Sequence, residues 1–268
     1  CMTVHASITA RPFFERRGYM VEQVQQLFPK VAVVMNVGGM VDTDWFAENE
    51  KIQAVLMAWQ GGMEGGNAAA ELLCGVGSPS GKLSDTFAKK LEDYPSSETF
   101  HESVKYVDYK EDIYVGYRYF ETIPGADKAV NYPFGYGLSY TTFERALVSA
   151  EEKQGVIRVR VNVTNTGKYP GKEVMQLYAQ APQGVLGKAK RVLAAFEKTR
   201  LLAQGETQLL TLEAPVAQLA SYDDLGKIQK SAYVLEKGKY QFYLGTSVRE
   251  TEQVFCFTMP EDTVTEQL

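Results

Sequence analysis

The sequence predicts two units in succession: an α/β segment with an incomplete, mostly parallel sheet, then an all-β sandwich. Three observations predict it. Continuous apolar runs broken by glycine pairs fill residues 31–75. Short runs of alternating apolar and polar residues fill the second half. Between them, residues 131–143 read Asn-Tyr-Pro-Phe-Gly-Tyr-Gly-Leu-Ser-Tyr-Thr-Thr-Phe. Pro133, Gly135 and Gly137 forbid a helix there and permit tight bends. Tyr132, Phe134, Tyr136, Tyr140 and Phe143, so closely spaced, suit a seam between packed units.

The α/β elements follow in order. Val31-Ala-Val-Val-Met-Asn-Val37 is an apolar run of the kind a buried parallel strand shows, ended by Gly38-Gly39. A second strand, Ala54 to Trp59, ends at Gly61-Gly62. Helix formers from Asn67 to Leu73 follow, with Gly75 placed to stop the helix. Strand, glycine loop and helix in that order make a βα unit. Cys74 reads as a buried small hydrophobe. Asp42 or Asp44 reads as an N-terminal cap.

Residues 76–142 have no clean period. That is long for a connection inside a compact domain, so the segment should be functional or should wrap over another surface. Beyond it, Val159, Val161 and Val163 alternate with Arg158, Arg160 and Asn162. Met175 and Leu177 alternate with Gln176 and Tyr178, and Tyr240, Phe242 and Leu244 with Gln241 and Tyr243. Turn signals at Asn165-Thr-Gly167, Gly205-Glu-Thr207 and Lys237-Gly238 separate these runs, a pattern that indicates a β-sandwich. The expected division is therefore 1–75, 76–142, 143–259 and a tail, 260–268. The tail looks like a helix start, with Asp262 or Thr263 as cap.

Bulk properties narrow the function. At 268 residues the chain can hold two ordinary cores. A net charge of −5 without a basic run argues against a nucleic-acid partner. No apolar stretch is long enough for a bilayer-spanning helix, so no membrane partner is expected. Cys1, Cys74 and Cys256 have no metal-type spacing, and their odd number argues against a disulfide framework. His5 and His101 are isolated, which argues against a His-based metal site or a Ser-His triad. Cys1-Met-Thr-Val-His5 shows no secretory signal, so a cytoplasmic location is the expectation. Asn162-Val-Thr164 lies within a strand pattern and reads as a chance sequon.

The 131–143 run resembles a signature of glycoside hydrolase family 3, the β-glucosidase and β-xylosidase family, and other motifs join it in order. Trp59-Gln-Gly-Gly-Met-Glu-Gly-Gly-Asn67, Ser78-Pro-Ser-Gly-Lys-Leu83 and Glu111-Asp-Ile-Tyr-Val-Gly-Tyr-Arg-Tyr-Phe120 are similar to motifs that the family carries ahead of that signature. Leu193-Ala-Ala-Phe-Glu-Lys198, Gly205-Glu-Thr207 and Gly238-Lys-Tyr240 to Gly245-Thr-Ser247 are similar to those of its fibronectin type III-like domain. The resemblance implies a portion of a retaining β-glycosidase that hydrolyses terminal β-linked sugars without a cofactor. Its substrate would be a β-glucoside or oligosaccharide. An Asp nucleophile on a TIM barrel and a Glu acid/base on the α/β domain would do the chemistry, with carboxyls roughly 5–5.5 Å apart.

Neither carboxylate is expected in this chain, so no catalytic residue is assigned to it. A barrel would need the whole length. The family's Glu-Gly-x-Asp-Arg run, which carries the acid/base, is absent from the stretch His5 to Arg17. The portion should be inactive without the TIM-barrel domain, its partner within the same protein. The tail resembles the connector of members whose sandwich leads into the barrel, so the barrel is expected to follow. The alternative is a non-catalytic carbohydrate-binding or scaffold module.

Thr43-Asp44-Trp45 imitates the barrel's Ser-Asp-Trp nucleophile motif, but it follows a strand where the family has a non-catalytic helix entry. Glu15 reads as a solvated charge. The Gly61–Gly66 loop could hold an anion at a helix N-terminus, but it lacks a phosphate-loop glycine order, and Glu64 repels anions. Tight packing is the expectation there, with Trp59 and Glu64 as candidate residues of a sugar-site rim. Glu111, Asp112, Tyr117 and Arg118 form a second cluster. There Arg118 should pair with a carboxylate, as a local ion pair or as a barrel contact.

Overall fold

A computed structural model describes residues 28–268, except residue 101. Strands β1 (Val31–Met35) and β2 (Ile52–Met57) pair in parallel, with Val33 opposite Val55. Between them lies a single helical turn, α1 (Asp44–Ala47). Its cap residue is Thr43, so neither Asp42 nor Asp44 holds the position expected of it. Asp42 instead accepts the Asp44 N–H at 2.9 Å, a local bond that short Asp side chains make readily.

Helix α2 (Gly65–Leu73) ends as its glycine suggests. Gly75 sits at φ +72. Its N–H reaches the Leu72 carbonyl at 3.1 Å, and the Val76 N–H reaches that of Glu71 at 2.9 Å. This is a Schellman ending. The helix buries none of its residues, so Cys74 is exposed rather than packed in a core.

The next segment is an arm with its own small core. Strand β3 (Phe87–Ala88) pairs with β4 (Val130–Tyr132), and α3 (Tyr117–Phe120) lies between them in sequence. Phe87 and Phe120 are fully buried. Tyr94 packs edge-on to Phe120 at 5.5 Å. Its hydroxyl donates to the Thr86 carbonyl and accepts the Ala88 N–H.

The sandwich follows. Strand β5 (Phe143–Lys153) pairs with β6 (Val156–Asn165). Next come β7 (Val174–Gln180), β8 (Val192–Lys198) and β9 (Thr207–Pro215). After β10 (Ser221–Asp223) and β11 (Ala232–Leu235), β12 (Gly238–Gly245) and β13 (Thr251–Met259) form a hairpin. One sheet is β5-β6-β9 and the facing one is β13-β12-β7-β8. Val159, Val161 and Val163 of β6 meet Leu210 and Leu212 of β9, Met175 and Leu177 of β7, and Tyr240, Phe242 and Leu244 of β12. The fold is thus an α/β part followed by a two-sheet sandwich whose core is made by alternating residues.

Two expectations fail here. Strand β7 is buried on both faces, including Gln176 and Tyr178, because the arm covers its outer side. The tail is no helix start: Thr263–Gln267 is strand β14, antiparallel to β11. Thr263, Val264 and Thr265 are β-branched and favour extended backbone, and β11 offers an edge to pair with. Asp262 caps nothing helical; its carboxylate accepts the Lys237 N–H at 2.7 Å.

Two buried acidic groups fix the β10–β11 end. Glu236 accepts the Val185 N–H at 2.6 Å and lies 3.8 Å from Lys188, itself buried and donating to Ser221. Burial pushes the Lys188 ammonium below its usual pKa, with Glu236 acting against that shift. Asp223, only 1% exposed, accepts the N–H groups of Gly226, Lys227, Ile228 and Gln229 at 2.7–2.9 Å. Burial pushes its carboxyl up, but the four donors, Ile228 foremost, together outweigh this and hold the pKa below the ordinary value. Such a group adds stability above the unfolded-state pKa of about 3.9 and loses it as pH falls through the lower folded value. Asp223→Asn should therefore lower the thermal midpoint at pH 7 and flatten the loss of stability on acidification. Equal midpoints for the variant and the parent chain from pH 7 down to about pH 3 would contradict this.

Candidate functional site

Ligands of open parallel sheets bind beyond the carboxyl ends of the strands. Beyond β1 and β2 lie two glycine loops that touch. A Cβ on Gly38 would stand 2.9 Å from the Gln60 side chain. A Cβ on Gly61 would stand 2.7 Å from the Gly65 Cα, so the turn into α2 closes only with glycine there. Trp59 opens this loop at φ +52, a rare conformation for a bulky residue and one that gathers at functional sites. Its half-buried ring lies 6.1 Å from that of Phe87, which joins the loop to the arm. Glu64 is the exposed N-cap residue of α2, but its side chain accepts a hydrogen bond from Asn67 at 2.6 Å and makes no cap bond to the helix backbone.

The second cluster divides. Glu111 accepts a bond from Ser96 at 3.3 Å, within the arm. Asp112 is exposed at φ +48. Tyr117 turns toward the sandwich. Its ring stacks on Phe134 at 4.4 Å and meets Tyr178 edge-on at 6.4 Å. Its hydroxyl accepts the Leu193 N–H at 3.0 Å. Arg118 makes no ion pair with any described residue, so the local ion pair expected of it is not there. Arg249 ties arm to sandwich instead, bonding Glu121 at 2.7 Å and the Asp127 carbonyl at 3.1 Å. Among the described residues, no hydrogen bond, ion pair or ring contact joins Trp59 or Glu64 to Glu111, Asp112, Tyr117 or Arg118.

The seam contains residues the sequence pattern hid. Gln176 donates to the Thr246 carbonyl at 2.6 Å and to that of Gly135 at 3.3 Å, and accepts the Tyr178 hydroxyl proton. Burial, with Tyr117 beside it, pushes the Tyr178 phenol far above its usual pKa. Arg191 lies over the Tyr243 ring at 4.1 Å and donates to Val248 and Thr251. Gln176-x-Tyr178 sits at the polar positions of an alternating strand, which read as solvent-facing. Only the ring-rich 131–143 run signalled that some surface had to receive it.

Asp44 accepts a hydrogen bond from Asn131 at 2.8 Å, and Asn131 also reaches Thr43 at 2.9 Å. Cys1, His5, Glu15 and His101 lie outside the described residues. Among the described residues, no group of three or more His, Cys, Asp or Glu is placed to hold a metal. No described helix is long and apolar enough to cross a membrane. The two clusters offer rings, a guanidinium and the carboxylates of Glu64, Glu111 and Asp112; Glu64 and Glu111 accept local hydrogen bonds from Asn67 and Ser96, a use that suits positioning and packing.

Comparison with known proteins places this architecture. The glycosyl hydrolase family 3 C-terminal domain matches residues 11–140, and the fibronectin type III-like domain matches residues 173–248. The chain belongs to glycoside hydrolase family 3, as part of its α/β second domain with the fibronectin type III-like domain after it. It is 57% identical to beta-glucosidase A of Butyrivibrio fibrisolvens, over 93% of this chain and 32% of that protein. It is similar to the crystal structure of a beta-glucosidase from Paenibacillus barengoltzii, with a TM-score of 0.89 and 49% identity over 95% of this chain and 28% of that one. Beta-glucosidase 3B from Thermotoga neapolitana, solved with α-D-glucose, aligns with a TM-score of 0.79 and 37% identity over 94% of this chain and 33% of that one. The chain thus spans about a third of the length of the relatives it matches.

The seam can be tested at Gly135. It sits at φ +81, and a Cβ there would stand 2.3 Å from the Gln176 amide oxygen. Gly135→Ala should cost about 3 kcal/mol in urea unfolding, from backbone strain plus overpacking. Gly125, at φ +84 with open space around its Cβ position, is the control. Gly125→Ala should cost only about 1 kcal/mol. Equal costs would show that Gln176 yields freely and that the seam is not tightly packed.

Proposed function

We propose that this chain is a portion of a retaining β-glucosidase that hydrolyses terminal β-linked glucosides. The observation that carries the reading is the match, over more than nine-tenths of the chain, to proteins named as beta-glucosidases. In this reading the nucleophile Asp and the acid/base Glu lie in the rest of the polypeptide, on a TIM barrel and on the remainder of the α/β domain. Flanking carboxylates are what the chemistry requires, one to attack and one to protonate the leaving oxygen. This portion supplies rigid support. Trp59 and Glu64, beyond the carboxyl ends of the parallel strands, are the candidate sugar-site rim. Glu111, Asp112 and Arg118 are candidate barrel contacts, whereas Tyr117 already spends its ring and hydroxyl on the seam. The proposed division is an α/β part to residue 75, a wrapping arm to 142, the sandwich to 259 and a short terminal piece. The start of β5 at Phe143 and the arm's contacts with β7 and β8 support it.

The test is hydrolysis of an aryl β-glucoside. The isolated chain should release nitrophenol no faster than buffer, because removing catalytic groups that act as a unit abolishes most of the rate. The full-length gene product should release it rapidly. An inert full-length product that still binds oligosaccharide would favour the non-catalytic module instead.

A further inference from the structure

The small sheet β10-β11-β14 turns one face to solvent. Its strands alternate: Asp223, Ala232 and Val234 are buried, while Tyr222 and Tyr233 stay 43% and 37% exposed. In the antiparallel register Tyr222 lies opposite Tyr233, and Tyr233 opposite Glu266. Directly opposed residues share a face, so these three side chains form one row across the sheet. The two rings stand 5.2 Å apart, tilted by 50°. Among the described residues, nothing bonds to either phenol hydroxyl or to the Glu266 carboxylate. The backbone under the row is pinned. Asp223 gathers the N–H groups of Gly226, Lys227, Ile228 and Gln229 and so fixes the β10–β11 connection. Thr265 donates to the Tyr233 carbonyl at 3.2 Å, and the Leu268 N–H reaches the Ser231 carbonyl at 2.9 Å. Gln267 donates to the Lys230 and Ser231 carbonyls at 3.1 and 3.0 Å and accepts from Gln229 at 3.1 Å. The rings are held in place before any ligand arrives, which lowers the cost of binding one.

We propose that Tyr222, Tyr233 and Glu266 form a saccharide-binding platform, separate from the candidate rim at Trp59, that takes an extended β-linked glucan chain. The choice of a β-linked chain rests on the β-glucosidase reading above; the platform itself does not. The ring hydrogens of a β-linked glucose point above and below its plane and make two apolar faces, while hydroxyls line its edge. Such a face stacks on an aromatic ring, and the edge hydroxyls donate to a carboxylate. A chain laid across the three strands sets neighbouring sugars over Tyr222 and Tyr233 and brings hydroxyls beside Glu266. The free phenol hydroxyls offer further hydrogen bonds at the polar tips of the same rings. Two other occupants fit less well. The row holds no aliphatic side chain, whereas the centre of a protein interface is apolar and depleted of charge. The Glu266 carboxylate repels the phosphates of a nucleic acid.

Two measurements test the proposal. In amide chemical-shift mapping of this chain with cellotetraose, taken to about 10 mM because an open platform binds weakly, residues 221–223 and 232–235 should shift and those of β6 should not. In native electrophoresis through a soluble β-glucan, this chain and the full-length gene product should both be retarded. Tyr222→Ala with Tyr233→Ala should weaken binding at least about tenfold. Tyr222→Phe with Tyr233→Phe keeps the rings and should stay within about threefold of the parent. The mapping needs no variant, so it decides even if the alanine pair fails to fold. Equal retardation of the folded alanine variant and the parent overturns the proposal. So do shifts confined to residues 59–66, which assign the sugar to the rim alone. So does a sugar-free shift of residues 221–235 with rising concentration and a doubled mass, which assigns the face to a second copy. A full-length product that is not retarded overturns it too, because the face is then covered in the intact protein. Hydrolysis of an aryl β-glucoside is scored separately: activity without retardation refutes the platform alone, and retardation without activity refutes the enzymatic reading alone.

Discussion

The structure depends on covering the outer face of the β13-β12-β7-β8 sheet. On β7 that face carries Gln176 and Tyr178, both buried and both bearing polar atoms. Burying them is favourable only if each polar atom finds a partner. The arm supplies rings and carbonyls together. Phe134 and Tyr117 close over Tyr178, and the Gly135 carbonyl meets Gln176. In return the sheet satisfies the arm: Leu193 donates to the Tyr117 hydroxyl, and Val248 to the Phe134 carbonyl at 3.1 Å. The left-handed bend at Gly135 makes these contacts simultaneous, because a side chain there would occupy the space of the Gln176 amide.

The arm, so fixed, becomes a bridge between two very different units. On one side is a sandwich whose core is closed by four strands' worth of fully buried residues. On the other is the parallel pair β1–β2 with α2, which buries none of its own residues. Ring contact from Phe87 to Trp59 and hydrogen bonds from Asn131 to Thr43 and Asp44 carry the connection across. Trp59 therefore takes its position from the sandwich through the arm. Under the function proposed above, such a relay matters because positioning errors of about 1 Å cost catalysis heavily.

Much of this was legible in the residues. The parallel pairing of the Val31 strand, the stop at Gly75 and the alternation of β6 each follow from local chemistry that tertiary structure did not override, although only Met35 of β1 is buried where the apolar run suggests a buried strand. The hidden features share one cause: they depend on partners remote in sequence. Gln176 and Tyr178 look solvent-facing until the 131–143 run is laid across them. Cys74 looks like a core residue because it follows a helix rich in alanine and leucine, yet that helix is uncovered. Thr263 to Gln267 has the spacing of a capped helix, but β-branched residues beside the edge of β11 prefer a strand. Arg118 looks like the arm's ion-pairing residue, and the bond is made by Glu121 because Arg249 stands opposite it. The family motifs were visible in order, but their roles in the seam were not, since a motif carries no information about which surface it meets.

Arm and sandwich form one cooperative unit through this seam. Native-state amide exchange under increasing denaturant measures it most directly. The Leu193 and Val248 amides, whose acceptors lie on the arm, should open with the same free energy as the Val161 amide in the sandwich core. If Leu193 and Val248 exchange through a separate opening of lower free energy while Val161 stays protected, the arm is an independent covering and the account is wrong.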